Sequence, residues 1–234
     1  MFCFKRFSVN HSQSSMKVGT EAVLLGAWLP VPDNCKEILE IGCGCGVISL
    51  MLAQRCNAHI TGIDIDEKSV KEAQNNAENS LWKNNVHFLH ENVQHFAQKS
   101  KQKFDLIVSN PPFFENSLKS PKINKNISKH NVTLTFEELC ASVDTLLLDD
   151  GAFGIILPAD AKEKFEILAE KNHLYATKKT YIYPTSTKKE NRVLMRFERK
   201  NRHCTEEKLV IRDKGYTDEY YQLVKDYLTI NYEL

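Results

Sequence analysis

Residues 38–53 read ILEIGCGCGVISLMLA. A short apolar run interrupted by Glu40 reaches Ile41, three glycines then alternate with cysteines at 42, 44 and 46, and a second apolar run follows from Val47. A strand of 4–8 residues, a glycine turn and a helix fit this order. Glycines allow a sharp turn and let a ligand approach the backbone closely. A helix starting near Gly46 adds N–H groups that lack intrahelical acceptors. A plain tight strand–helix turn would use the same pattern, so the residues that follow must decide.

They raise the odds of a ligand site. Residues 59–64 read as a second strand, ending in GIDID (62–66) with Asp64 at its terminus. A carboxylate there can accept hydrogen bonds from both hydroxyls of a ribose, while Asp66 suits the N-cap of the next helix. Val70, Ala73, Ala77 and Leu81 form one apolar stripe on that helix. A dinucleotide site would prefer G-x-G-x-x-G, whereas position 47 is Val and the third glycine falls one place early. The spacing favours a nucleoside-type cofactor.

Further elements alternate in the same way. The sequence predicts strands at 36–41, 86–90, 104–109 and 152–157, with helices at 47–55, 159–171 and 217–229. Thr135 and Glu138 form a capping box opening a helix through Leu148. Segments 174–183 and 192–198 read as a hairpin, which would add an antiparallel strand at one edge. Strands alternating with helices imply an α/β fold with a mainly parallel sheet covered on both faces, binding ligands at the carboxyl ends of its strands. The long polar stretch 115–133 reads as a lid, a binding loop or a disordered segment.

Composition sets few limits. The 234 residues are 42% hydrophobic and 26% charged, with a formal net charge of +1, so any partner must be sought in local charge. Seven cysteines, at 3, 35, 43, 45, 56, 140 and 204, include no CxxC pair. They read as structural thiols of a reduced, cytoplasmic chain, with no metal site expected. The start MFCFKRFSVN is no signal peptide, and no apolar run is long enough to span a membrane.

The strand at 104–109 ends in SNPPFF (109–114). Two prolines stiffen the departure from the strand. The Asn110 side-chain amide oxygen and the Pro111 carbonyl are both acceptors and suit an amino group, and Phe113 can stack on a flat ring. Phe114 either packs or touches the same ring. Such a clamp suits methylation of an exocyclic amine, whose lone pair is delocalised until two acceptors grip its hydrogens. Lysines cluster beyond this turn at 119, 122, 125 and 129, with His130 alongside, and again at Lys178, Lys179, Lys188, Lys189, Arg192 and Arg196. They read as phosphate contacts of an RNA or as solvated loops.

On Glu40, Gly42, Gly44 and Gly46, which match E/D-x-G-x-G-x-G, the chain resembles the class I S-adenosylmethionine-dependent methyltransferases. That resemblance implies a Rossmann-like fold with a seven-stranded sheet. It places the glycine loop beside the methionine part of the cofactor and Asp64 on its ribose. Asn92 and Val93 of HENV fall near the adenine, Asn92 standing where Asp is commoner. Asn-Pro-Pro-Phe is the fourth motif of members acting on amino groups. FKRFSV, MKVGTEAVLLGAW, FDLIVSNPPF, KTYIYPTSTKKENRVLMRFER and IRDKGYTDEYYQLVKDYL extend the likeness almost end to end, to the bacterial tRNA1(Val) adenine-37-N6 methyltransferase family.

The likeness implies one methyltransferase domain over 1–234: an N-terminal extension covering the cofactor (1–34), a core (35–200) and a C-terminal extension (201–234). Glu21-Ala22 departs from the Asp-Gly common in relatives, and the adjacent 17–20 stretch, ending at Thr20, would close over the cofactor. The implied partner is the anticodon loop of a tRNA, with Phe113, Phe114, Lys129, His130, Lys188, Lys189 and Arg192 as RNA contacts. Competing expectations are a protein glutamine-N5 methyltransferase, a methyltransferase of another RNA amino group, and a catalytically silent RNA-binding module. Glutamine-N5 enzymes carry a sizeable helical domain ahead of the core, and the expectation is weakened because only about forty residues precede the glycine loop here.

Overall fold

The computed structural model describes residues 1–112 and 134–229. A small antiparallel pair, β1 (Phe2–Cys3) and β2 (Ser8–Val9), precedes α1 (Thr20–Trp28). Then β3 (Glu37–Ile41), α2 (Val47–Ala53), β4 (His59–Asp64), α3 (Glu67–Glu78), β5 (Val86–His90), α4 (Val93–Lys99) and β6 (Phe104–Ser109) alternate. After the gap come α5 (Phe136–Leu146), β7 (Leu147–Pro158), α6 (Lys162–Lys171), β8 (Tyr175–Thr185), β9 (Arg192–Glu198), β10 (Thr205–Arg212) and α7 (Asp218–Val224).

The main sheet runs in the order β10-β8-β9-β7-β6-β3-β4-β5. It has eight strands where the sequence predicts seven. The added strand, β10, pairs parallel to β8, and of its residues only Leu209 is buried, so its apolar signal is weak. The antiparallel strand is also not at an edge. β9 is antiparallel to both β7 and β8 and lies between them, because the hairpin folds back inward and β10 takes the edge.

Both sheet faces are buried, so successive strand residues join different cores. Ile38, Leu106 and Val108 pack under α1, α2, α3 and α7. Leu39, Ile107 and Phe153 pack under α4, α5 and α6. Local signals set the helix ends. Asp66 caps α3 through Ser69, by both its N–H (3.3 Å) and its Oγ (2.6 Å), and Thr135 and Glu138 form the reciprocal capping box of α5. Two boundaries differ from expectation. Helix α3 stops at Glu78, leaving Leu81 74% exposed rather than on the stripe. Helix α5 gives way at Leu147 directly to β7, whose first residues pair with Phe104.

Gly46 sits at the N-cap of α2 with φ +79°, and a Cβ there would stand 2.5 Å from Phe88 Cζ. A left-handed backbone and a filled neighbour each oppose a side chain. Gly46→Ala should therefore lower stability by about 2–4 kcal/mol, read as a shift in the urea midpoint at constant slope. A midpoint equal to wild type would remove this packing constraint.

Candidate functional site

Parallel pairing builds the site. Ser109 of β6 is in register with Ile41 of β3, and Ile41 with Ile63 of β4. The next residue on each strand therefore falls in one row at the carboxyl edge: Asn110, Gly42 and Asp64. Asp64 in turn pairs with His90 of β5. Neighbouring strands lie about 4.8 Å apart, so Asn110 and Asp64 stand about 10 Å from each other with the glycine loop between them. Ser109 Oγ donates to Ile41 O at 2.9 Å and pins the row on the Asn110 side.

Asp64 ties the loop on the other side. Its Oδ2 accepts from Gly44 N at 2.8 Å and its Oδ1 from Asp66 N at 2.9 Å. Burial raises its pKa, and the N–H groups of Asp66 and Gly44 oppose that rise. Each oxygen has accepted one N–H, which leaves lone pairs for two hydroxyl donors. Gly42 and Gly44 both have positive φ, and a Cβ on either would meet no atom within 4 Å. The loop thus lines an open cradle beside Asp64. Ile65, next to Asp64, is 43% exposed, an apolar surface that the sequence reading passed over.

Glu40 lies below the loop rather than facing the cradle. It is fully buried, and its Oε2 accepts from Ser49 N at 2.9 Å and from Ser49 Oγ. Burial pushes its pKa up to about 8, against the opposing pull of the Ser49 hydrogen bonds. Glu40 joins β3 to α2 and so holds the loop's two ends together.

At the far end of the row, Asn110 Oδ1 is buried and has no hydrogen-bond partner among the described residues. A buried acceptor without a partner costs about 1–3 kcal/mol, and such exceptions mark sites awaiting a donor. Pro111 is buried and Pro112 exposed, so the chain leaves the strand on a stiff turn. Phe113, Phe114, Lys129, His130 and the 115–133 stretch lie outside the described residues.

Other sequence-assigned residues fall as follows. Asn92 caps α4, its Oδ1 accepting from Gln94 N and His95 N, which leaves its NH2 group as the part to offer a ligand. Val93 is buried in the core beneath α4. Thr20 is exposed at the start of α1. Beside it Glu21 pairs with Arg192 at 3.1 Å, joining α1 to β9. Lys188 and Lys189 are exposed at the β8–β9 tip. Lys178 and Lys179, by contrast, form ion pairs with Glu207 and with Glu166 and Glu206, and Arg196 pairs with Glu198. That part of the basic cluster is engaged within the sheet.

One structural element was not visible in the sequence. Segment 10–18 is strapped over α3 by Glu72, which accepts from Ser12 N (2.8 Å), Gln13 N (3.1 Å), Ser14 N (2.8 Å) and Ser14 Oγ (2.6 Å). Burial alone would raise the Glu72 pKa, but the hydrogen bonds from Ser14, Gln13 and Ser12 outweigh it and bring it down to about 2. Asn76 exchanges hydrogen bonds with the backbone of Asn10 and also donates to Cys45 O at 2.9 Å. The strap is thus tied to the glycine loop itself. Its acceptors are about sixty residues from its donors in the chain, so no local spacing announces it.

Among the described residues, no group of three or more His, Cys, Asp or Glu could hold a metal ion, and no helix is long and apolar enough to cross a membrane. The cradle, the carboxylate beside it and the unsatisfied acceptor fit an adenosyl cofactor at one end and an amino group at the other.

Comparison with known proteins agrees with this geometry. A family model described as a methyltransferase domain matches residues 32–224. Three curated relatives share the name tRNA1(Val) (adenine(37)-N6)-methyltransferase. That of Phocaeicola vulgatus is 41% identical over 97% of this chain and 96% of its own. That of Flavobacterium psychrophilum is 39% identical over 97% and 98%, and that of Photorhabdus laumondii 39% over 97% and 94%. Among solved structures, a predicted O-methyltransferase, protein Atu636 from Agrobacterium tumefaciens, superposes with a TM-score of 0.71 at 16% identity, over 88% of this chain and 96% of its own. A ribosomal protein L11 methylase from Lactobacillus delbrueckii gives 0.55 at 17%, over 84% and 82%. These two likenesses establish the fold.

Glu40 gives a pH test. Between about pH 4.5 and 8 the folded carboxyl keeps a proton that the unfolded one releases. Stability therefore falls as pH rises through that window, by about 1.4 kcal/mol per pH unit for this group. Glu40→Gln mimics the protonated form and should flatten that slope, widening its stability advantage toward pH 8. Parallel stability–pH curves for the two proteins would show that Glu40 is ionised in the fold.

Proposed function

From the premise that this chain belongs to the tRNA1(Val) (adenine(37)-N6)-methyltransferase family, we propose that it transfers a methyl group from S-adenosylmethionine to N6 of adenine 37 in the anticodon loop of that tRNA. The observation that carries this reading is the buried Asn110 Oδ1, without a partner among the described residues and about 10 Å along one row from Asp64. One end of the row offers an acceptor for an amine, and the other offers a carboxylate for a ribose.

S-adenosylmethionine, when bound, supplies an activated sulfonium methyl. Asp64 accepts from the ribose hydroxyls, Gly42 and Gly44 leave room for the methionine part, and the NH2 of Asn92 serves the adenine edge. Asn110 Oδ1 and the Pro111 carbonyl accept from the two hydrogens of the substrate's N6. That grip draws the nitrogen toward a tetrahedral shape and frees its lone pair. Phe113 holds the ring by stacking. The reaction then depends chiefly on alignment, and the proton released from nitrogen passes to solvent. An anticodon-loop base is already single-stranded, so bringing it to the sheet edge costs little. Lys188 and Lys189, at the β8–β9 tip, hold phosphates further along the RNA. Residues 1–34 cover the cofactor, and the enzyme works in the cytoplasm, where its tRNA is found.

Incubating the protein with labelled S-adenosylmethionine and unmodified tRNA, then digesting to nucleosides, should yield N6-methyladenosine that maps to position 37. Label on a release-factor glutamine and none on tRNA would overturn the reading. Asn110→Ala should lower kcat by about 10²–10³-fold, as loss of one positioned polar contact in an active site does, with cofactor affinity within threefold by calorimetry. Asp64→Ala should instead weaken the cofactor about 10–100-fold, through lost hydrogen bonds to a charged group. Equal effects of the two variants on cofactor affinity would refute this division of labour.

A further inference from the structure

The carboxyl edge extends well past the Asn110 row. β8 and β10 run parallel to each other and end together, with Arg212 in register with Thr185. Following the register across β7, β9, β8 and β10, the Asn110 row reaches Glu207. Arg212 therefore stands four strands away, about 19 Å across, and five residues, about 17 Å, further along the strands. It forms a raised rim on the side of the sheet that carries Lys188 and Lys189.

That rim is organised. Arg212 pairs with Tyr216 across a tight turn, and Asp213 N donates to Gly215 O at 2.8 Å within it. Thr217 N donates to Ile211 O at 3.1 Å. Asp213 Oδ1 accepts from Ser186 Oγ at 2.5 Å, tying the turn to the β8–β9 tip. The Tyr216 ring stacks on Tyr220 at 5.1 Å between centroids, and the Arg212 guanidinium lies over the Tyr216 ring at 4.3 Å while donating to its hydroxyl. Tyr220 is buried and Arg212 exposed. Tyr216 thus links a buried ring, Tyr220, to an exposed flat cation, Arg212. Lys188 and Lys189 on the β8–β9 tip and Lys214 on the turn tied to it are all exposed and without a carboxylate partner among the described residues.

A guanidinium already fixed on a ring loses little freedom when a second flat group joins the stack. Unpaired RNA bases are commonly held on guanidinium planes and aromatic rings. We propose that Arg212, held on Tyr216, is a second RNA-contact site that stacks on an unpaired base of the substrate other than the one methylated. The surrounding lysines hold the adjoining phosphates. This rests on the RNA reading given above and adds the surface that orients the substrate.

Steady-state methylation of unmodified tRNA and anisotropy of a labelled anticodon stem-loop hairpin test it together. Arg212→Ala should raise the KM for tRNA and the hairpin Kd about tenfold, with kcat within twofold and with cofactor affinity and melting temperature as in wild type. Arg212→Lys keeps the charge but loses the flat face, and should not restore binding. A change in KM and Kd smaller than threefold in Arg212→Ala would overturn the proposal. So would full recovery in Arg212→Lys, which would mean a simple phosphate contact, or a loss confined to kcat. If wild type methylates no tRNA, the enzymatic reading fails, and the hairpin affinities still decide whether Arg212 binds RNA.

Discussion

The parallel register that aligns Ser109, Ile41 and Ile63 is the constraint on which the rest depends. It is set by buried residues, Ile38, Leu39, Leu106 and Ile107 among them, that leave the strands no other packing. A slip of one residue would exchange the side chains that fill the two cores and shift Asn110 along the strands relative to Asp64. Gly42 and Asn110 sit one residue beyond the ends of β3 and β6, and Asp64 is the last residue of β4. Core packing therefore fixes the spacing between Asp64 and Asn110.

Loop, helix and strap then stiffen that edge from three directions. Glu40 holds the base of the glycine loop through Ser49, Asp64 holds its tip through Gly44, and Asn76 holds Cys45 while also binding Asn10. The loop's three positive-φ glycines are thus secured by side chains outside it. Gly46 is closed in by Phe88, whereas Gly42 and Gly44 face open space. One glycine serves packing, and the other two leave room for a ligand. Glu40, Asp64 and Asn76 all have hydrogen-bond partners in this frame, whereas Asn110 Oδ1 has none among the described residues.

Much of this was legible in the sequence because it is local. The glycine loop, Asp64 at a strand end, the Asp66 cap and the Thr135–Glu138 box each lie within a few residues of what they act on. Strand β10 was missed because TEEKL places three charged residues in a row after Thr205 and buries only Leu209. The antiparallel strand was expected at an edge because hairpin pairing says nothing of what later covers it. The Glu72 strap, the Glu21–Arg192 pair and the engagement of Lys178 and Lys179 with acids of β10 and α6 join distant segments. Side-chain spacing along the chain carries no record of such pairs, so lysines of the sheet read like lysines of an RNA surface.

Recognition of the amino group by Asn110 is open to one direct measurement. Anticodon-loop hairpins bearing adenine, or purine without the amino group, at the target position are bound to wild type and to Asn110→Ala with the cofactor product present. Wild type should favour adenine by about tenfold, and Asn110→Ala should bind the two alike, a coupling that isolates the contact. Equal discrimination by both proteins would contradict the assignment, because the amino group would then be read by some other residue.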